Sequence, residues 1–165
     1  MTEAVVTPDG RLRLGGQAFR AALGRGGVRA DKQEGDGATP AGLLPLRRVL
    51  YRADRTAIPR AALPREPIVA TDGWCDDPGH PDYNRPVKLP HPARCEELWR
   101  RDEIYDVLAV LGWNDAPVQR GRGSAIFLHI ARPGWAPTEG CVALAEADLR
   151  SVLAAGVTAL RVLAP

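Results

Sequence analysis

Apolar stretches in this chain are short, and turn-forming residues end them. VLAVLGW at 107–113, among the longest, stops at Asn114-Asp115-Ala116-Pro117. Such runs fall far below the roughly 20 apolar residues of a membrane-spanning helix. Their β-branched content and their boundaries read as strands. At the N-terminus, AVVTP, then Asp9-Gly10, then RLRLG has the pattern of a β-hairpin, because Asp-Gly supplies the positive φ of a tight turn. Residues 43–51 (LLPLRRVLY), 105–113 (YDVLAVLGW), 124–131 (SAIFLHIA) and 157–163 (VTALRVL) read as further strands.

A helix is predicted from Ala145 to Ala155. Glu146 and Asp148 suit the positive end of its dipole, Leu149, Val152 and Leu153 form its buried face, and Gly156 stops it. The predicted fold is therefore mainly β (α+β), a single domain over residues 1–165 in which one or two helices pack on the sheet. From 52 to 103 the chain is dense in proline and polar residues, with one brief apolar stretch at 67–70. Long irregular regions inside a compact domain are usually functional loops.

Composition removes several function classes. Apolar residues are 45% and charged residues 25%, ordinary for a globular protein and unlike a disordered one. The net charge is +2, the arginines are scattered and aromatic residues are only 5%, which argues against nucleic acid as a partner. GRGG at 24–27 and GRGS at 121–124 lack the Gly-Lys-Ser/Thr ending of a phosphate loop and read as turns, as does Asp36-Gly37. MTEAVVTPDGRLRLGG has neither a basic start nor a long apolar run, so a cytoplasmic, reducing location is expected. An odd number of cysteines, three, fits poorly with a disulfide framework.

Cys141, in PTEGCVAL at 137–144, stands twelve residues after His129 in SAIFLHIA. Such a cysteine could be a core filler, a metal ligand or a nucleophile. The predicted elements place it between a strand and a helix start, where free amide hydrogens and the helix dipole favour a thiolate. Gly140 would let a substrate approach the backbone, and nearby N–H groups could hold an oxyanion. His129 at a strand end would be a rigidly mounted base, giving an imidazolium–thiolate pair charged at neutral pH.

Thr138-Glu139-Gly140-Cys141-Val142 after a strand carrying His129 resembles the signature of the YkuD-type L,D-transpeptidase catalytic domain. KQEGDGATPAG at 32–42, GWCDDP at 73–78 and YNRPV at 83–87 resemble further segments of that family, in the same order and across most of the chain. The resemblance implies a YkuD-like β-sandwich or barrel without cofactor or metal. It also implies a peptidoglycan stem peptide or muropeptide as partner, with no membrane partner. Cys141 would attack the carbonyl between an L-centre, such as diaminopimelate, and D-alanine, with His129 managing protons and the amides around Gly140–Val142 holding the oxyanion.

Water as acceptor would make the protein an L,D-carboxypeptidase that trims tetrapeptides in muropeptide recycling, and the cytoplasmic expectation favours that branch. An amine acceptor would make it a transpeptidase. A silent wall-peptide binding module is the non-enzymatic rival. Glu139, Ala143 and Leu144 depart from residues common in the family (His at the first, Arg or Asn after the cysteine), which bears on the acceptor side. Arg132 and Arg85 are candidate carboxylate clamps, because guanidinium forks match carboxylates. Tyr83, Asn84, Thr138 and Trp135 are candidate substrate contacts. Cys75, His80, His91 and Cys95 have a zinc-like look, though their spacing matches no familiar zinc module, and Cys75 is read rather as part of the substrate loop.

Overall fold

The computed structural model describes residues 1–165. Strands β1 (Glu3–Thr7) and β2 (Arg11–Leu14) form the expected hairpin, with Thr7 opposite Arg11. Pro8, Asp9 and Gly10 make a three-residue loop in which Gly10 alone takes positive φ, 84°. β3 (Gln17–Ala22) follows, and its QAFRAA, poor in β-branched residues, carries no strand signal. The short β4 (Val28–Arg29) and β5 (Thr39–Pro40) pair across the 31–38 turn, ahead of the ten-residue β6 (Gly42–Tyr51). Then come β7 (Arg65–Pro67), β8 (Asp72–Cys75), β9 (Pro86–Lys88) and β10 (Cys95–Glu97). The chain ends with β11 (Val107–Leu111), β12 (Phe127–Ile130), β13 (Val142–Leu144), helix α1 (Glu146–Ala154) and β14 (Ala159–Val162).

The main sheet runs β11-β12-β13-β3-β2-β1-β14-β6 and closes on itself where β6 also pairs with β11. The length of β6 makes this closure possible. Gly42–Pro45 pairs with β14, while Leu46 to Tyr51 pairs with β11 through a register shift. Closure removes sheet edges, and β7 adds parallel to β6 beside the seam. Only one α-helix forms. A single 3-10 turn lies at Pro133–Trp135.

Alternation along β11 and β12 creates two cores. Val107, Ala109, Leu111, Leu128 and Ile130 join a 22-residue aliphatic cluster inside the barrel, which Leu149, Val152 and Leu153 of α1 also enter. Each such fully buried aliphatic side chain contributes roughly 1.5–3 kcal/mol relative to exposure. On the other face Leu108, Val110 and Phe127 meet Leu50, Ile68, Trp74, Leu98, Ile104, Tyr105 and Cys141 in a second cluster of 11. Burial on both faces explains why VLAVL is apolar throughout rather than alternating. The cover of this second core is the 52–105 segment. It is an ordered lid containing the three-stranded sheet β10-β8-β9, so the expectation of loops alone there is corrected.

Candidate active site

Strand pairing alone brings Cys141 and His129 together. β12 and β13 are parallel, with Leu128 opposite Val142 and His129 opposite Ala143. Cys141, one residue before β13, therefore lies beside Phe127, whose N–H donates to its Sγ at 3.3 Å. His129 is two residues further along β12 and so shares the face of Phe127. Both residues line one cleft of about 310 Å³.

The loop before Cys141 is held by two threonines. Thr138 Oγ1 accepts from the Gly140 N–H at 3.1 Å and donates to the Cys141 carbonyl at 2.7 Å. Thr39 Oγ1 donates to the same carbonyl at 3.4 Å and accepts the Gly24 N–H at 2.9 Å. Gly140 has φ +140°, and a Cβ there would sit 2.8 Å from the Ala38 carbonyl oxygen. No other residue fits this crossing. Beneath it, the buried Lys32 ammonium pairs with Asp36 at 2.8 Å, and the Asp36 carboxylate also accepts the Gln33 and Ala38 N–H groups. Asp36 is thus a turn-former, as its sequence context implies.

Burial dominates the site's proton equilibria. It pushes the Cys141 thiol up to about 12, and the nearby Glu96 charge acts in the same direction. It pushes His129 down to about 4. The thiol donates to the Ala125 carbonyl at 3.3 Å. The His129 Nδ1–H donates to the Ile130 carbonyl at 2.8 Å, which leaves Nε2 as the open base. Both shifts favour a neutral thiol beside a neutral imidazole over the expected imidazolium–thiolate. The helix argument is corrected too. β13 and Ala145 separate Cys141 from α1, so the helix N-terminus does not act on the sulfur.

The walls carry charges of both signs: Arg100 and Arg132 on the one hand, Glu34, Asp76, Glu96 and Glu139 on the other. The Tyr105 ring stands edge-on to His129 at 5.3 Å, and its hydroxyl bonds the Glu96 carboxylate. Burial raises the pKa of Glu96 and of Tyr105.

The family model for the YkuD L,D-transpeptidase catalytic domain matches residues 3–156. The chain belongs to the YkuD family. Among solved structures, L,D-transpeptidase 1 of Mycobacterium tuberculosis is 12% identical with a TM-score of 0.41, covering 98% of this chain and 61% of that one. An L,D-transpeptidase from Mycobacterium smegmatis is 15% identical with a TM-score of 0.43, covering 98% of this chain and 58% of that one. This chain thus spans about three-fifths of the length of those two. No protein of curated function matches it significantly.

Of the candidate site residues, Cys141, His129, Thr138 and Arg132 line the cleft, and Gly140 belongs to the loop between Thr138 and Cys141 without lining it. The other four do not line it. Tyr83 is buried, donating from its hydroxyl to Glu34 at 2.6 Å and accepting the Gly123 N–H at 2.9 Å. Asn84 is buried with φ 56°, and its amide ties Trp74, Ala125, Trp113 and Asn114 together. Both shape the cleft from behind. Arg85 faces a separate cavity of about 180 Å³, and Trp135 stacks under Arg20 at 4.6 Å. Cys75 is buried and does not line the cleft.

Sequence reasoning misses Glu34, Thr39, Glu96, Arg100, Tyr105 and Ser124. Glu34 and Thr39 stand inside the KQEGDGATPAG segment, which is a usable signal. Glu96, Arg100 and Tyr105 reach the site only because the 52–105 lid folds over β12.

Proposed function

We propose that this YkuD domain is an L,D-carboxypeptidase that removes D-alanine from a muropeptide tetrapeptide. The observation that carries the reading is that Cys141 and His129 share one cleft of about 310 Å³ whose walls hold both guanidinium and carboxylate groups. A stem-peptide end bearing diaminopimelate presents carboxylates and an ammonium group. Arg132 suits the former, since the Arg100 fork is already bidentate to Asp102, and Glu34 and Glu96 suit the latter. A volume at the lower end of small-ligand sites favours one short peptide end with water as the second substrate.

In this mechanism Cys141 Sγ attacks the acyl carbon while its proton passes to His129 Nε2. Proton transfer accompanies attack because burial favours the neutral forms of the pair. The Cys141 N–H, which donates to no other backbone group, is the oxyanion donor, whereas the Gly140 N–H is committed to Thr138. Such a donor is typically worth about 100- to 1000-fold in rate. The C–N bond then breaks, D-alanine leaves carrying the proton from His129, and a thioester remains. Water attacks the thioester, again giving its proton to His129, and the thiol is restored.

The acidic groups near Cys141 also suit an incoming amine, which supports transpeptidation as the second reading. Mass spectrometry of the protein with a diaminopimelate tetrapeptide, with and without excess D-amino acid, separates the two. Tripeptide in both mixtures supports the carboxypeptidase, and dominant exchange or cross-linked product supports the transpeptidase. No conversion, with Cys141→Ala behaving identically, supports a binding module.

A further inference from the structure

Behind the cleft, on the far side of the lid sheet, three soft or borderline metal donors converge. Cys75 on β8 stands directly opposite Cys95 on β10 in the antiparallel register. His91, from the loop between β9 and β10, closes on the pair, and the ligand atoms of Cys75, His91 and Cys95 all lie within 4.8 Å of one another. His80, Asp82 and His91 form a second group within the same 4.8 Å limit, sharing His91 with the first. The His80 and His91 rings are 4.8 Å apart between centroids. None of the three cysteines is in a disulfide. Cys75 and His91 are well shielded and Cys95 is half-buried, so a bound ion would be largely removed from solvent.

We propose that Cys75, Cys95 and His91 bind a zinc-class divalent cation, with a water molecule completing the ligand set. Two thiolates, an imidazole and one further oxygen match the tetrahedral preference of Zn²⁺, and thiolates select it over the hard cations that oxygen ligands favour. The Asp82 carboxylate already lies 2.9 Å from His91 Nε2, the carboxylate–histidine pairing that orients metal-binding imidazoles. Binding replaces the two thiol protons, which are released to solvent, so the balance is one metal ion taken up and two protons given off.

The placement gives the ion a role. Cys75 precedes Asp76, and Cys95 precedes Glu96, and both carboxylates line the cleft. Cross-linking β8 to β10 through the metal would hold these carboxylates in register. The site lies outside the reacting groups, so it stands whichever acceptor the enzyme uses.

The test uses the full chain in a Cys141→Ala background, which removes the catalytic thiol as a ligand. Cobalt(II) is titrated into reduced protein and zinc is then added against a chromophoric chelator. The expected result is one ion per chain, thiolate-to-cobalt charge transfer with tetrahedral bands, and loss of both remaining thiols from titration by a disulfide reagent. Cys95→Ser, at the less buried ligand, should abolish the charge-transfer band of one thiolate. Asp82→Asn should weaken binding by about 10- to 100-fold. Absence of the cobalt spectrum from folded, reduced protein overturns the proposal. So does a Cys75–Cys95 disulfide that re-forms in preference to metal binding, or an unchanged spectrum in Cys95→Ser.

Discussion

The two faces of β12 teach different lessons. Leu128 and Ile130 enter the aliphatic cluster inside the barrel, and the closed sheet holds them on every side. Phe127 and His129, one residue out of phase, lie under an aromatic lid with Cys141, Tyr105 and Trp74. The barrel face stabilises. The lid face is nearly as buried, yet it places ionisable groups where desolvation governs their protonation. A strand rigidly held on one face can carry such shifted equilibria on the other, since local distortion would have to disturb the barrel.

The sharpest division between the faces should come from Cys141→Ala. Turnover should fall at least about 1000-fold, or roughly 4 kcal/mol of barrier, while the melting temperature stays within a few degrees. Collapse of the melting transition along with activity would break the contrast. The barrel-side counterpart is Leu128→Ala, which should cost about 2–5 kcal/mol in urea unfolding. Its turnover per folded molecule should stay close to that of the parent, and a large catalytic defect there would show that the faces are not separable.

The pH dependence sharpens the same contrast. His129 is held down to about 4 by burial, against an ordinary 6.5, so between those values the unfolded chain binds a proton that the folded chain refuses. Stability from this group therefore falls as pH drops through that window, by up to about 3 kcal/mol, and levels off below it. Chemical denaturation across pH, with His129→Gln as control, reads this directly. The acid limb of kcat/KM should lie near 4, and a limb near 6.5 would sink the neutral-pair description.

Smaller effects follow at the margins of the lid. Tyr105→Phe keeps the ring against His129 but removes the hydroxyl from Glu96. It should cost about 1 kcal/mol of stability and lower turnover up to about tenfold. Arg25 pairs with Glu139 at 3.0 Å where both side chains are exposed, so Arg25→Ala should change stability by less than about 1 kcal/mol. A larger loss would mean that the pair braces the Cys141 loop.

Much of the barrel is legible in the amino-acid order. The runs that form β1, β2, β6, β11, β12 and β14 carry β-branched and leucine-rich patterns between turns, and α1 shows its buried face and glycine stop. β3 and β13 are not legible, because QAFRAA and VAL have no distinctive strand signature and form through their neighbours. Cys141, His129, Gly140 and Thr138 are singled out by the resemblance to the family signature, and the parallel pairing of β12 with β13 brings the loop that carries three of them beside the strand that carries His129. Motif proximity alone points Tyr83, Asn84 and Trp135 at the cleft, and the structure turns the first two inward to serve as braces.

By itself the amino-acid order determined which side chains can do chemistry and which short segments extend as strands, because those depend on residue type and on contacts close in sequence. Tertiary structure alone decided the burial that favours the neutral forms of the pair. It also decided that Glu96, Arg100 and Tyr105 face it, and that Cys75, His91 and Cys95 meet. Desolvation and long-range charge depend on what covers a residue, and here the cover is folded from the distant 52–105 segment.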